Sequence, residues 1–131
     1  MIQIFDKKGF TPILTLECMS LADADLSGCQ LAEANLVQVD LSRARLNGAN
    51  LSAADLRLAR LDHADLRNAD LSQADFTGAD LSHARLDGAN LDGAILTDTR
   101  LPADFSRQQP GRDRLAAIRV STAVPPTGET G

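Results

Sequence analysis

Few residues in this chain have types and spacing suited to chemistry. His63 and His83 stand 20 apart, and the cysteines are Cys18 and Cys29 alone. Two imidazoles held about 5 Å apart, near strand spacing, could share a metal ion. A zinc site, however, draws three or four protein ligands, and no further His or Cys has matching spacing. No nucleophile–base–orienter set, phosphate-cradling glycine loop or zinc-ligand pattern is present. Carboxylates are plentiful, with 18 Asp and Glu against 13 Lys and Arg. The expectation is a protein that is not an enzyme and has no catalytic, cofactor or metal residues. A net charge of −5 argues against direct nucleic-acid binding and against docking on an anionic membrane.

Which carboxylates meet which cations depends on the elements that carry them, and these follow from a repeat. From Leu16 to Leu101 every fifth residue is Leu, except Phe76. Two residues before each stands Ala, in 13 of 16 cases between residues 24 and 99. On an α-helix, five residues advance about 140° past a full turn, and the leucines scatter round the axis. On one long strand an odd spacing sends successive leucines to opposite faces. Neither element buries the set. A short extended piece followed by a corner does: Ala and Leu, two apart, face inward together, the residue between them faces outward, and the next two turn the chain. Repetition gives an all-β solenoid.

Charge fixes the number of sides. The outward residue is Arg at Arg45, Arg60, Arg85 and Arg100. A three-sided coil stacks residues 15 apart and sets Arg45 on Arg60. A five-sided coil sets Arg60 on Arg85. A four-sided coil stacks residues 20 apart, and its columns read Asp25, Arg45, Asp65, Arg85 and Asp40, Arg60, Asp80, Arg100. Opposite charges at strand spacing help by a few tenths of a kcal/mol and like charges hurt, so the alternation selects four sides and predicts structural ion ladders. One corner column reads Gly28, Gly48, Asn68, Gly88, residue types that accept positive φ. That corner is expected to need φ > 0 and the other three mostly not.

The tandem quintets of "ADLRNADLSQADFTGADL" resemble the pentapeptide-repeat family, over about residues 20–101. The resemblance implies a right-handed quadrilateral β-helix, here of about four to five coils, with the handedness coming from the family alone. Residues 1–19 read as an N-terminal β cap, a hairpin turning at Lys7-Lys8-Gly9 with Pro12 at an edge. Residues 102–131 read as a C-terminal cap and tail: Phe105 plugs the last coil, residues 111–119 fit a short helix, and residues 121–131 carry the composition of a disordered tail. The expected core includes Leu46, Leu56, Leu66, Phe76 and Leu86, with Cys29 at an inward position.

The four-sided register also divides the surface. Two sides carry the Asp/Arg columns. The other two hold Glu33, Asp55, Asp70, Asp75, Asp92 and Asp98 against Arg57 alone. Asp55 stacks on Asp75 with no visible cation, and Leu58 falls at an outward corner. Asp55, Asp70, Asp75 and Leu58 are therefore the candidate partner-binding residues. They suggest a protein-interaction or scaffold module that uses an acidic face toward a protein with a basic surface. The alternative comes from the resemblance: gyrase-protecting relatives are longer acidic rods that mimic duplex DNA and dimerise through a C-terminal helix. It implies a DNA-mimicking modulator of a topoisomerase, and a homodimer through the C-terminal segment. No basic stretch and long apolar run follows Met1, so a cytoplasmic protein is expected.

Overall fold

A computed structural model describes residues 2–9, 12–16 and 20–105. The C-terminal helix read over 111–119, the tail and Cys18 lie outside the described residues.

The ladder folds as the period of five demands. Residues 20 apart pair as parallel bridges, from Asp25 with Arg45 to Asp80 with Arg100. Each rung uses the same bonds. The Leu N–H donates to the outward residue one coil on, as from Leu46 to Asp65 O at 2.8 Å. The outward N–H donates to the Ala one coil back, as from Asp65 to Ala44 O at 3.0 Å. The backbone is thus satisfied between coils, and the side chains are free to sort inward and outward. Ala44 through Ala94 and Leu21 through Leu96 fill the interior at their repeat positions, with Phe76 among them. Leu46, Leu56, Leu66, Phe76 and Leu86 are each fully buried. At about 2 kcal/mol per buried Leu, this narrow column of apolar side chains is the main stabilising term.

The corners differ from the sequence expectation. Positive φ is not confined to one glycine-rich column. It occurs at every position two after Leu from Asp23 to Asp98, in eleven non-glycine residues and five glycines. The cause lies in the turn. At each corner the Ala N–H donates to the preceding Leu carbonyl, as from Ala64 to Leu61 O at 3.0 Å. That closes a four-residue turn with φ > 0 only at its third residue, the type II pattern. The coil turns in one sense at all four corners, so every corner needs the same turn, whether or not the residue there is glycine.

A two-stranded antiparallel sheet closes the N-terminal end. It consists of β1 (Ile2–Phe5) and β2 (Pro12–Leu16), paired from Ile2 with Leu16 to Phe5 with Pro12 and bulged between Ile4 and Phe5. The hairpin docks by continuing the ladder. Asn35 N–H donates to Phe5 O at 2.7 Å and Lys7 N–H to Glu33 O at 2.9 Å. Ile4 is buried, and Ile2, Ile13 and Leu14 pack on the first coil, where Ala24, Cys29 and Val39 are only partly covered. At the other end Leu101 and Phe105 pack against the core. Both ends of the described solenoid thus bring apolar side chains onto the core.

Candidate functional site

The outward residues set the surface chemistry, and their first task is local. At ten rungs an outward Asp or Asn accepts the backbone N–H two residues on, as Asp65 Oδ1 does from Arg67 at 3.1 Å and Asp70 Oδ1 from Ser72 at 3.0 Å. These are Asx turns. Where that residue is Ser or Thr, its hydroxyl donates to the same oxygen, at 2.7 Å from Ser27 to Asp25 and 2.5 Å from Thr77 to Asp75. The Ser42 hydroxyl does the same for the exposed Asp40, while Ser42 itself is buried against the coil.

This corrects the ion ladders. The register of Asp25, Arg45, Asp65, Arg85 and of Asp40, Arg60, Asp80, Arg100 is that of the parallel bridges. The charged groups nevertheless reach along the chain and not across it. Arg67 takes Asp65 with two bonds, at 2.9 and 2.7 Å. Arg60 lies 3.6 Å from Asp62, and Arg85 lies 3.9 Å from Asp87. The Asx turn fixes each carboxylate before an Arg one coil away can reach it, so the columns act only as longer-range fields. The Asp65 carboxyl lies below its usual value chiefly through the Arg67 hydrogen bond, with the Arg85 field a lesser cause. The Ser27 hydroxyl lowers Asp25 and the Ser42 hydroxyl lowers Asp40, with Arg45 and Arg60 contributing less. The one ion pair that bridges coils among the described residues is at a corner, where Arg43 Nε and Nη2 grip Asp23 at 2.7 and 2.9 Å.

On the acidic half, Asp55 stacks on Asp75 as a bridge pair. The absence of a cation expected there is corrected: Arg57 binds both oxygens of Asp55, at 2.8 and 2.7 Å. That contact lowers the Asp55 carboxyl, with Lys7 of the hairpin tip adding a smaller field. Asp70 and Asp75 differ. Each spends Oδ1 on its own turn, through Ser72 and Thr77, and neither has an ion pair among the described residues. Glu33, Asp92 and Asp98 likewise have none. The outcome is a set of half-buried and exposed carboxylates with oxygens aimed at solvent.

Leu58 is 54% exposed, and its place is explained by its neighbour one coil on. Its Cδ2 lies 2.7 Å from where a Cβ on Gly78 would sit. The leucine drapes over that glycine, beside the acidic side. His63 and His83 stack, with ring centroids 4.6 Å apart. Among the described residues no group of three or more His, Cys, Asp or Glu is placed to hold a metal ion, and no helix is long and apolar enough to cross a membrane.

A four-sided coil built from Ala-Asp/Asn-Leu quintets, turned at every corner through a positive φ, defines a class of solenoid. The sequence matches the family Pentapeptide repeats in eight copies, over residues 24–62 and 59–98. The chain belongs to that family, and its fold is the family's right-handed quadrilateral β-helix. Similar solved structures include alr5209, a pentapeptide repeat protein from Nostoc Pcc 7120, at 32% identity, covering 74% of this chain and 84% of that one (TM-score 0.49). Another is AT2G44920 of the Arabidopsis thaliana thylakoid lumen, at 28% identity, covering 74% and 87% (TM-score 0.38). QnrB1, a plasmid-mediated fluoroquinolone resistance protein, is 17% identical, covering 74% and 60% (TM-score 0.46). No curated protein sequence matches.

Proposed function

We propose that the protein is a non-catalytic interaction module that docks a partner with a basic surface on its acidic half. The observation that carries this reading is the state of Asp70 and Asp75. Each carboxylate is held by its own turn at one oxygen and has no ion pair among the described residues. Fixed charges of this kind lose little freedom on binding a Lys or Arg side chain, and they steer association. Leu58 supplies an apolar contact at the adjacent corner. The same reading puts the protein in a reducing cytoplasm, where Cys29 stays a thiol, and makes the segment after Phe105 the contact of a homodimer.

Asp70→Asn/Asp75→Asn tests it. Each Asn still accepts the turn hydrogen bond, so the fold is kept while two charges go. The partner retained by the wild-type chain is expected to be lost by the double variant and by raised salt. Identical retention on both chains overturns the proposal. The same carboxylates also support a second reading, mimicry of duplex phosphates toward a topoisomerase. Four coils make a rod of roughly 20 Å, a short stretch of duplex. Inhibition of DNA gyrase supercoiling at micromolar protein would favour that reading, and no effect would remove it.

A further inference from the structure

We propose that His63 and His83 form an open two-nitrogen chelate for copper(II), with Asp62 orienting one ring. The two rings stack with planes 14° from parallel and centroids 4.6 Å apart. Both residues sit at the positive-φ corner position, with φ of 62° and 60°, and the His63 N–H is bonded to Ser82 O one coil on at 2.9 Å. The coil therefore fixes both Cα positions, and only side-chain rotation is left to bring nitrogens onto one ion. Two metal–nitrogen bonds of about 2.0–2.1 Å span at most about 4.2 Å. In the stack the in-plane lone pairs of the two rings lie in nearly parallel planes and do not meet, so both rings turn about χ1 and χ2 before a nitrogen of each faces one ion. Both side chains are exposed, so an ion reaches them without opening the coil.

The surroundings suit such a site. Asp62 Oδ2 lies 3.7 Å from His63 Nδ1. That is longer than a hydrogen bond; closing it as the ring turns would orient the imidazole and leave its other nitrogen for the ion. Asp62 Oδ1 is buried without a hydrogen bond, and Arg60 stands 3.6 Å from it. Arg43, the next residue up the column, has its charge taken by Asp23 through two bonds. With two protein ligands the remaining positions go to water. This differs from the closed three- or four-ligand sites that the sequence reading required of the column. Copper(II) heads the divalent affinity order, and imidazole suits it.

The test titrates copper(II) chloride into the full chain at pH 7.5 in a non-coordinating buffer, read by calorimetry and electron paramagnetic resonance. One equivalent is expected to bind, with hyperfine splitting from two imidazole nitrogens. His63→Asn and His83→Asn should each weaken binding roughly tenfold or more, since either leaves a single ligand. Asp62→Asn should weaken it by roughly tenfold. Asn accepts positive φ, so both histidine variants keep the corner, which their thermal transitions verify. Wild-type copper affinity in either folded histidine variant, or a spectrum without imidazole splitting, overturns the proposal.

Discussion

Two residue types govern the coil at the smallest scale, the inward leucine and the corner residue. Leu66 is fully buried among other leucines. Leu66→Ala should cost about 2–5 kcal/mol in urea unfolding, and Leu66→Lys should abolish the cooperative transition. A soluble, cooperatively folded Leu66→Lys protein would contradict the buried column. The corners give a finer test. Gly48 has open space around an added Cβ, so Gly48→Ala measures only the left-handed backbone and should cost about 1 kcal/mol. Ala53, at φ 58°, should gain by a similar amount on Ala53→Gly. Gly78→Ala adds a clash with Leu58, which Leu58→Ala should relieve. The double variant should therefore lie above the sum of the singles, and strict additivity would remove Leu58 from its place over Gly78. The inward Leu and Ala were legible from spacing alone. The corner φ was not, because glycine fills only five of the sixteen corner positions. Residue type marks where positive φ is easy, not where a repeated turn enforces it.

At the scale of the element, the rung is an Asx turn fastened to a corner. This explains why Asp and Asn dominate the outward position. The signal was present in Asp-Leu-Ser and Asp-Phe-Thr, whose spacing puts an acceptor two residues before a donor. Column charge gave the four-sided register, but not the partner of each carboxylate, because a contact two residues away forms before one a coil away. The turns set an acid limit. At Asp55 and Asp65 the carboxyl is lowered first by its Arg hydrogen bond, and at Asp40 by the Ser42 hydroxyl. At Asp80 burial works the other way, and the Ser82 hydroxyl and N–H together with the Arg100 and Arg60 charges outweigh it. A carboxyl lowered by folding binds fewer protons in the native chain. Its contribution is present above the unfolded value of about 3.9 and is lost as pH falls through the folded values beneath it. The thermal midpoint should hold from pH 7 to about 5 and then drop steeply toward pH 2. Asp65→Asn should make that drop shallower. A midpoint constant down to pH 2 would contradict the turn bonds as a source of stability.

At the scale of the whole molecule, the four-sided register separates two surfaces. On one half, Arg43, Arg60, Arg67 and Arg85 each lie within ion-pair distance of a carboxylate. On the other, Arg57 serves Asp55, and Asp70, Asp75, Asp92 and Asp98 have no ion pair among the described residues. This division could be read from residues 20 apart, whereas the identity of a partner leaves no mark in a surface column. The most direct test is a two-dimensional ¹⁵N–¹H titration of the full chain with an oligolysine peptide. Shifts concentrated on the sides of Asp70, Asp75, Asp92 and Asp98, and lost in Asp70→Asn/Asp75→Asn, are the predicted result. Shifts spread evenly over all four sides, or centred on the Asp25–Arg45–Asp65–Arg85 side, would contradict an acidic docking face.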